Sequence, residues 1–191
     1  MIVIDDFIKD ESLLNDLQND KTFFDNGGQY MWWDGWWNTP ANTLKKRLIQ
    51  AIWGEASPYK QMSVSGFEYW TGQYDETKPE GLPFHLDKDE ALYLKTGEIV
   101  SPIIGTVYYP IENDIDGGFL EIYEENPYTT PDTIPECIAP KKNRLVIFPA
   151  GYHHHKVTPV TRGLRSAIAI NLWTDPPSGV RNGDLSLEIT K

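Results

Sequence analysis

The chain has 191 residues, a formal charge of -11 at pH 7, a pI near 4.7 and one cysteine, Cys137. That length suits a single domain with a sizeable core, and the acidic balance argues against direct binding of nucleic acid or an anionic membrane. One cysteine leaves no internal disulfide, which fits a reducing compartment, and Met1-Ile2-Val3-Ile4 runs into acid too soon to be a leader or membrane span, so a soluble, cytoplasmic protein is expected.

In chain order, residues 1–8 alternate as a short strand, and Asp10-Glu11-Ser12 opens a helix that puts Leu13, Leu14 and Leu17 on one face. Tyr30 to Trp37 holds four of the seven tryptophans. Such a run is read either as packing of an N-terminal layer or as an aromatic wall able to stack on a ring, with Trp36 and Trp37 as candidate substrate contacts. Thr39-Pro40 predicts a helix start, with Leu44, Leu48, Ile52 and Trp53 as its apolar stripe, Lys45, Lys46 and Arg47 on its solvent side, and Gly54 at its end. From Gln61 onward alternation takes over, and the chain reads as β-rich.

Polar loops are expected at 75–81, 95–102 and 127–135, strands at 103–110, 119–123 and 143–149, and a turn at 113–118. The organisation is a single domain over 1–191, with helical support at 1–59, a barrel core at 60–175 and a tail at 176–191. Short strands after an initial βα portion fit an α+β, mainly β fold: a double-stranded β-helix, or jelly-roll barrel, with N-terminal helices packed on it.

Chemistry concentrates in two segments. His85 and Asp87 stand two apart, and side chains two apart on an extended strand point the same way, so both can reach one ion. The other three histidines, His153, His154 and His155, lie about seventy residues later. One of them would complete a set of two imidazoles and one carboxylate, the ligand set that suits non-haem Fe(II) oxygenases. Alternation puts His153 and His155 on one face and His154 on the other. Thr161-Arg162-Gly163 reads as a hairpin turn. Pairing Val160 with Leu164 across it would set His155 opposite Ala169 and Arg165 opposite Pro159. His155, Arg165, Ala167 and Ala169 would then share one face, with the guanidinium about 13 Å of backbone from the metal at roughly 3.3 Å per residue.

These residues resemble the Fe(II)- and 2-oxoglutarate-dependent oxygenases, in particular the prolyl 4-hydroxylase-like branch. That family's order is H-x-D, a Gly-Gly strand, then H-x-V-x-P-V-x-x-G-x-R. Here it corresponds to His85 to Asp87, Gly117-Gly118 and His155 to Arg165. Tyr69-Trp70-Thr71-Gly72-Gln73 and Gly105 to Tyr109 resemble its flanking strands. The resemblance implies His85, Asp87 and His155 as metal ligands. It implies Arg165 as the anchor of the 2-oxoglutarate carboxylate, with Tyr69 and Tyr109 assisting; His153 is read either as a support behind the metal ligands or as a residue near the entrance and a candidate substrate contact, and Arg162 as exposed in its turn.

It further implies Fe(II), 2-oxoglutarate and O2, with ascorbate as an optional addition. The implied reaction hydroxylates a prolyl residue of a protein or peptide, or a small amino-acid-like substrate, and releases succinate and CO2. Chains of this sort resemble those of bacteria and phages. The competing reading is a non-catalytic or cupin-like barrel that binds a carbohydrate or protein through the Trp-rich face.

Overall fold

The computed structural model describes residues 1–25, 28–54, 63–78, 80–111 and 114–178. Gln61, Pro79, Asn113 and residues 179–191 of the expected tail lie outside the described residues. The strands in chain order are β1 (Ile2–Ile4), β2 (Met31–Trp33), β3 (Gly66–Asp75), β4 (Leu82–His85), β5 (Ile104–Tyr109) and β6 (Asp116–Gly117). They continue as β7 (Leu120–Tyr123), β8 (Glu136–Ile138), β9 (Arg144–Phe148), β10 (His154–Val157), β11 (Val160–Arg162) and β12 (Leu164–Trp173). Among the described residues three helices join them: α1 (Glu11–Asn19), α2 (Leu44–Trp53) and α3 (Glu90–Thr96).

All pairings are antiparallel, giving a six-stranded sheet ordered β1-β9-β5-β12-β3-β2, a four-stranded sheet ordered β4-β10-β7-β8, and a ribbon of β11 with β6. The long central strand β12 shows how sequence builds the layers. Its Ile168, Ile170 and Leu172 face outward and bury against Leu13 and Leu17 of α1 and Leu48, Ile49 and Ile52 of α2. Its alternate residue Ala167 faces inward, where Tyr109, Val146 and Phe148 of the same sheet meet Leu120, Ile122 and Val157 of the other. Two sheets face to face with helices outside one of them make the expected jelly roll. Among the described residues no helix is long and apolar enough to cross a membrane.

Local signals place the helices. Asp10 accepts from the backbone N–H groups of Ser12 (2.9 Å) and Leu13 (3.1 Å) to cap α1. The start of α2 differs from the expectation at Thr39-Pro40, because Thr39 is taken up elsewhere: its hydroxyl accepts from Trp33 Nε1 and donates to Asp34 Oδ1, each at 2.7 Å. Thr43 caps instead, accepting from Lys46 N at 3.3 Å. Lys46 is not on a solvated face either. It is 2 % exposed, with its ammonium 5.8 Å from the Trp33 ring centre. Arg47 does face outward and pairs with Asp16 at 2.8 Å. The helix α3 and the strand β8 are additions that the sequence reading lacked.

The expected hairpin across residues 161–163 does not form. Val160 pairs with Gly117 on β6, whereas Arg165 pairs with Tyr74 on β3, so the chain leaves one sheet at Pro159 and joins the other at Leu164. Gly163 makes the crossing with φ +84°, and a Cβ there would stand 2.2 Å from the Asp114 carbonyl oxygen. His155 and Arg165 therefore belong to different sheets rather than to one face of a hairpin.

Asn143 ties the N-terminal segment to the barrel. It is buried with φ 58°, its Oδ1 accepts from Ile8 N and the Tyr108 hydroxyl (both 2.9 Å), and its Nδ2 donates to Ile8 O (3.1 Å). Asn143→Gly keeps the left-handed backbone but strands these groups. With each unsatisfied buried group costing about 1–3 kcal/mol, urea unfolding should show a loss of about 2–4 kcal/mol. Asn143→Ala should lose somewhat more, since alanine adds strain at positive φ.

Candidate active site

The strand β4 ends at His85, and Asp87 follows two residues later, held by its own N–H donating to the Ala150 carbonyl at 3.0 Å. Beside β4 runs β10, whose His155 lies directly opposite His85 in register. The imidazole rings stand 4.2 Å apart between centres. Asp87 Oδ1 is 3.4 Å from His85 Nε2 and 3.6 Å from His155 Nε2, and one ligand atom from each of the three lies within 4.8 Å of the others.

Both rings are oriented from behind. His85 Nδ1 is 2.7 Å from the Pro83 carbonyl and His155 Nδ1 is 3.0 Å from the His153 carbonyl. A carbonyl can only accept, so each Nδ1 carries a proton and each Nε2 is turned toward Asp87. Burial works to raise the Asp87 carboxyl, but hydrogen bonding and charge from His155 and His85 override it and hold the group well below the usual carboxylate range. Burial likewise works against protonation of His85, and Asp87 more than offsets it. Behind Asp87, Asn171 Nδ2 donates to its Oδ2 at 3.1 Å. Glu68 is pushed up to about 8 by burial and by the Asp87 charge.

The triad opens into a pocket of about 520 Å3, its mouth included, that both sheets line. Trp70, Gly72 and Tyr74 of β3 and Arg165, Ala167 and Ala169 of β12 form one wall; Leu120 and Val157 stand across from them. Arg165 is 3 % exposed, donates from Nε to the Gly118 carbonyl at 3.0 Å and from Nη2 to the Tyr109 hydroxyl at 3.2 Å, and lies over the rings of Tyr74 and Tyr109. Among the described residues no carboxylate pairs with it. A buried guanidinium between neutral partners favours an anion entering the pocket.

Residues 71–175, over half of the chain, match the family model described as the 2OG-Fe(II) oxygenase superfamily. The chain belongs to that superfamily. Among solved structures, IDO from Bacillus thuringiensis is 13 % identical, covers 90 % of this chain and 92 % of its own, and superposes with a TM-score of 0.57. That likeness carries the fold. Smaller overlaps occur with a Pseudomonas putida prolyl-4-hydroxylase (21 % identity, 68 % of this chain, TM-score 0.44) and with prolyl 4-hydroxylases from Phytophthora capsici (22 %, 65 %, 0.40). This chain spans 60 % and 38 % of the lengths of those two. No curated protein matches it in sequence.

Family membership brings Fe(II), 2-oxoglutarate and O2, and the residues fit them. Ligands in adjacent positions around an ion at about 2.1 Å stand about 3 Å apart, close to the two Asp87 separations. Protonated Nδ1 atoms anchored on carbonyls are the usual outer support of histidine ligands. The unpaired cation of Arg165 suits the far carboxylate of a dicarboxylate, and Ala167 and Ala169 leave room for its chain.

The other expected site residues divide. Tyr109 reaches Arg165 from the pocket side of β5. Tyr69 does not reach it: alternation turns it to the outer face, where it packs in the core with Phe67 and Ile170, and Tyr74 takes the place beside Arg165. Trp36 and Trp37 lie outside the pocket lining, because they pack with Trp33 and Phe67 on the side of the sheet that carries the helices. Trp32 and Trp33 are buried and Trp36 is half-buried, which leaves Trp37, at 47 % exposed, as the most open of the four rings. One member of that segment does approach the site: Tyr30 packs at 4.8 Å against Trp70, with 49° between ring planes, and Trp70 lines the pocket.

His153 also lies outside the lining, and burial holds its ring below the usual histidine range. His154 points the other way and stacks on Phe84 at 4.7 Å with 3° between planes. Arg162 is exposed and bound to Asp114 and Asp116. The sequence reading missed Trp70, Tyr74 and Asn171 as site residues. Alternation separates Tyr74 from Tyr69 on β3, and the pairing of Tyr74 with Arg165 in register brings it to the site.

Proposed function

We propose that the chain, working as one domain, is a hydroxylase that oxidises an unactivated C–H bond of an amino-acid-like substrate, a prolyl residue of a peptide or a free amino acid, with release of succinate and CO2. The observation that carries this reading is the juxtaposition of His85, Asp87 and His155 with the buried, carboxylate-free Arg165 in one pocket. Bound at the triad, iron with 2-oxoglutarate and dioxygen supplies the oxidant for inserting one oxygen atom into a C–H bond.

The protein residues do the rest. His85 and His155 hold their Nε2 lone pairs inward through the Pro83 and His153 carbonyls. Asp87 keeps its negative charge and leaves the remaining positions to the reactants. Arg165, braced by Gly118 and Tyr109, takes the distal carboxylate of 2-oxoglutarate and so fixes which end faces the metal. Leu120, Phe148 and Val157 keep the pocket dry, which strengthens that ion pair. Tyr30 and Trp70 stand where an aromatic wall would meet the primary substrate.

A mass-spectrometric screen of free amino acids and prolyl peptides, run with Fe(II), 2-oxoglutarate and air, tests the substrate class. Gain of one oxygen atom matched mole for mole by succinate is the expected result. Succinate that never becomes coupled to any member of either group would count against it.

A further inference from the structure

We propose that Asn171 is a positioning residue that holds Asp87 as a one-oxygen ligand and so keeps a coordination position free. This inference rests on the reading that His85, Asp87 and His155 bind iron, and it adds a residue to that site.

The two oxygens of Asp87 have different neighbours. Oδ1 faces both imidazoles, at 3.4 and 3.6 Å, while Oδ2 accepts from Asn171 Nδ2 at 3.1 Å. A carboxylate with an unoccupied second oxygen can rotate and grip an ion with both, as carboxylates do in flexible sites. Bidentate binding would use a position that the cosubstrate and oxygen require. A donor fixed on Oδ2 opposes that rotation.

The donor is itself fixed. Asn171 is 2 % exposed and continues the inward face of β12 two residues beyond Ala169. Its register partner on β3 is Glu68, whose Oε2 lies 3.5 Å from the same Nδ2 and receives Trp173 Nε1 at 3.1 Å. With Asp87 Oδ2 and Glu68 Oε2 both on one side of the amide, its NH2 group must point toward them and its Oδ1 away. On that other side Gly105 leaves the space: a Cβ there would come within 3.2 Å of Asn171 Oδ1. Trp173, Glu68, Asn171 and Asp87 thus form one buried relay, and Trp173 gains a role as its outer anchor.

The test uses cobalt(II), an air-stable stand-in for iron, on the full chain. Wild type, Asn171→Leu and Asn171→Ser are titrated with the metal, and the visible cobalt spectrum and the concentration of 2-oxoglutarate needed to perturb it are recorded, with far-UV CD confirming the fold. Leucine keeps the volume and removes the donor; serine keeps a hydroxyl too short to reach Asp87. Both should change cobalt affinity by about 10- to 100-fold, the usual size of an outer partner's effect. Both should show a changed cobalt band and a raised 2-oxoglutarate requirement. Either variant, folded, with wild-type affinity and an unchanged band would overturn the positioning role. Failure of wild type to bind cobalt would instead remove the metal reading on which the role rests, and with it the role.

Discussion

His155→Ala is expected to lose metal binding and 2-oxoglutarate turnover together, by more than about 100-fold, because removing a ligand should exceed the 10- to 100-fold cost of losing an outer partner. His155 supplies one of three converging atoms, and Phe148 packs edge-on at 5.0 Å, so the truncated side chain leaves a small buried gap beside Asp87. Isothermal titration with Fe(II) under argon and a succinate assay in air read the two losses. His154→Ala is the matched control. That ring stacks on Phe84 on the opposite face of β10 and should leave both readouts within about twofold of wild type, an ordinary surface effect. Equal losses in the two variants would mean that the histidine run acts through folding and not through a ligand.

Arg165→Ala should raise the 2-oxoglutarate concentration needed for half-maximal turnover by roughly 30-fold to several thousandfold, while Fe(II) affinity stays near wild type. Truncating one side of a buried charge pair costs about 2–5 kcal/mol, and each 1.4 kcal/mol is tenfold. Arg165→Lys should recover only part of the loss. Lysine restores the charge but cannot donate to the Gly118 carbonyl and the Tyr109 hydroxyl from a planar fork while also meeting a carboxylate. Steady-state assays at saturating iron separate the two variants. If Arg165→Ala kept its 2-oxoglutarate requirement and lost iron instead, the assignment of the guanidinium would be wrong.

Much of this site was legible because its signals are local. His85 and Asp87 are two apart, and the residues after His155 run in the family order to Arg165. Inward and outward faces of β12 also follow from alternation alone. What was not legible depends on partners distant in sequence. The period of β10 and β12 is the same whether they form a hairpin or join separate sheets, so the crossing at Gly163 leaves no mark in the pattern. The helix α3 buries no residue and therefore has no apolar stripe; only its caps, Asp89 and Gly97, announce it. Lys46 reads as solvated by type, yet its stem lies where α2 meets the tryptophan layer. Tyr69 and Tyr74 are chemically alike and stand on opposite faces of β3 by alternation, but which face meets Arg165 is set by the pairing of β3 with β12.

The most direct measurement is an anaerobic titration of metal-free protein with Fe(II) and then 2-oxoglutarate, followed by visible absorption. The account predicts a weak charge-transfer band that appears only when both are present, at one equivalent of iron, and that succinate does not reproduce. Folded protein that binds neither, or gives no band at saturating concentrations of both, would contradict it.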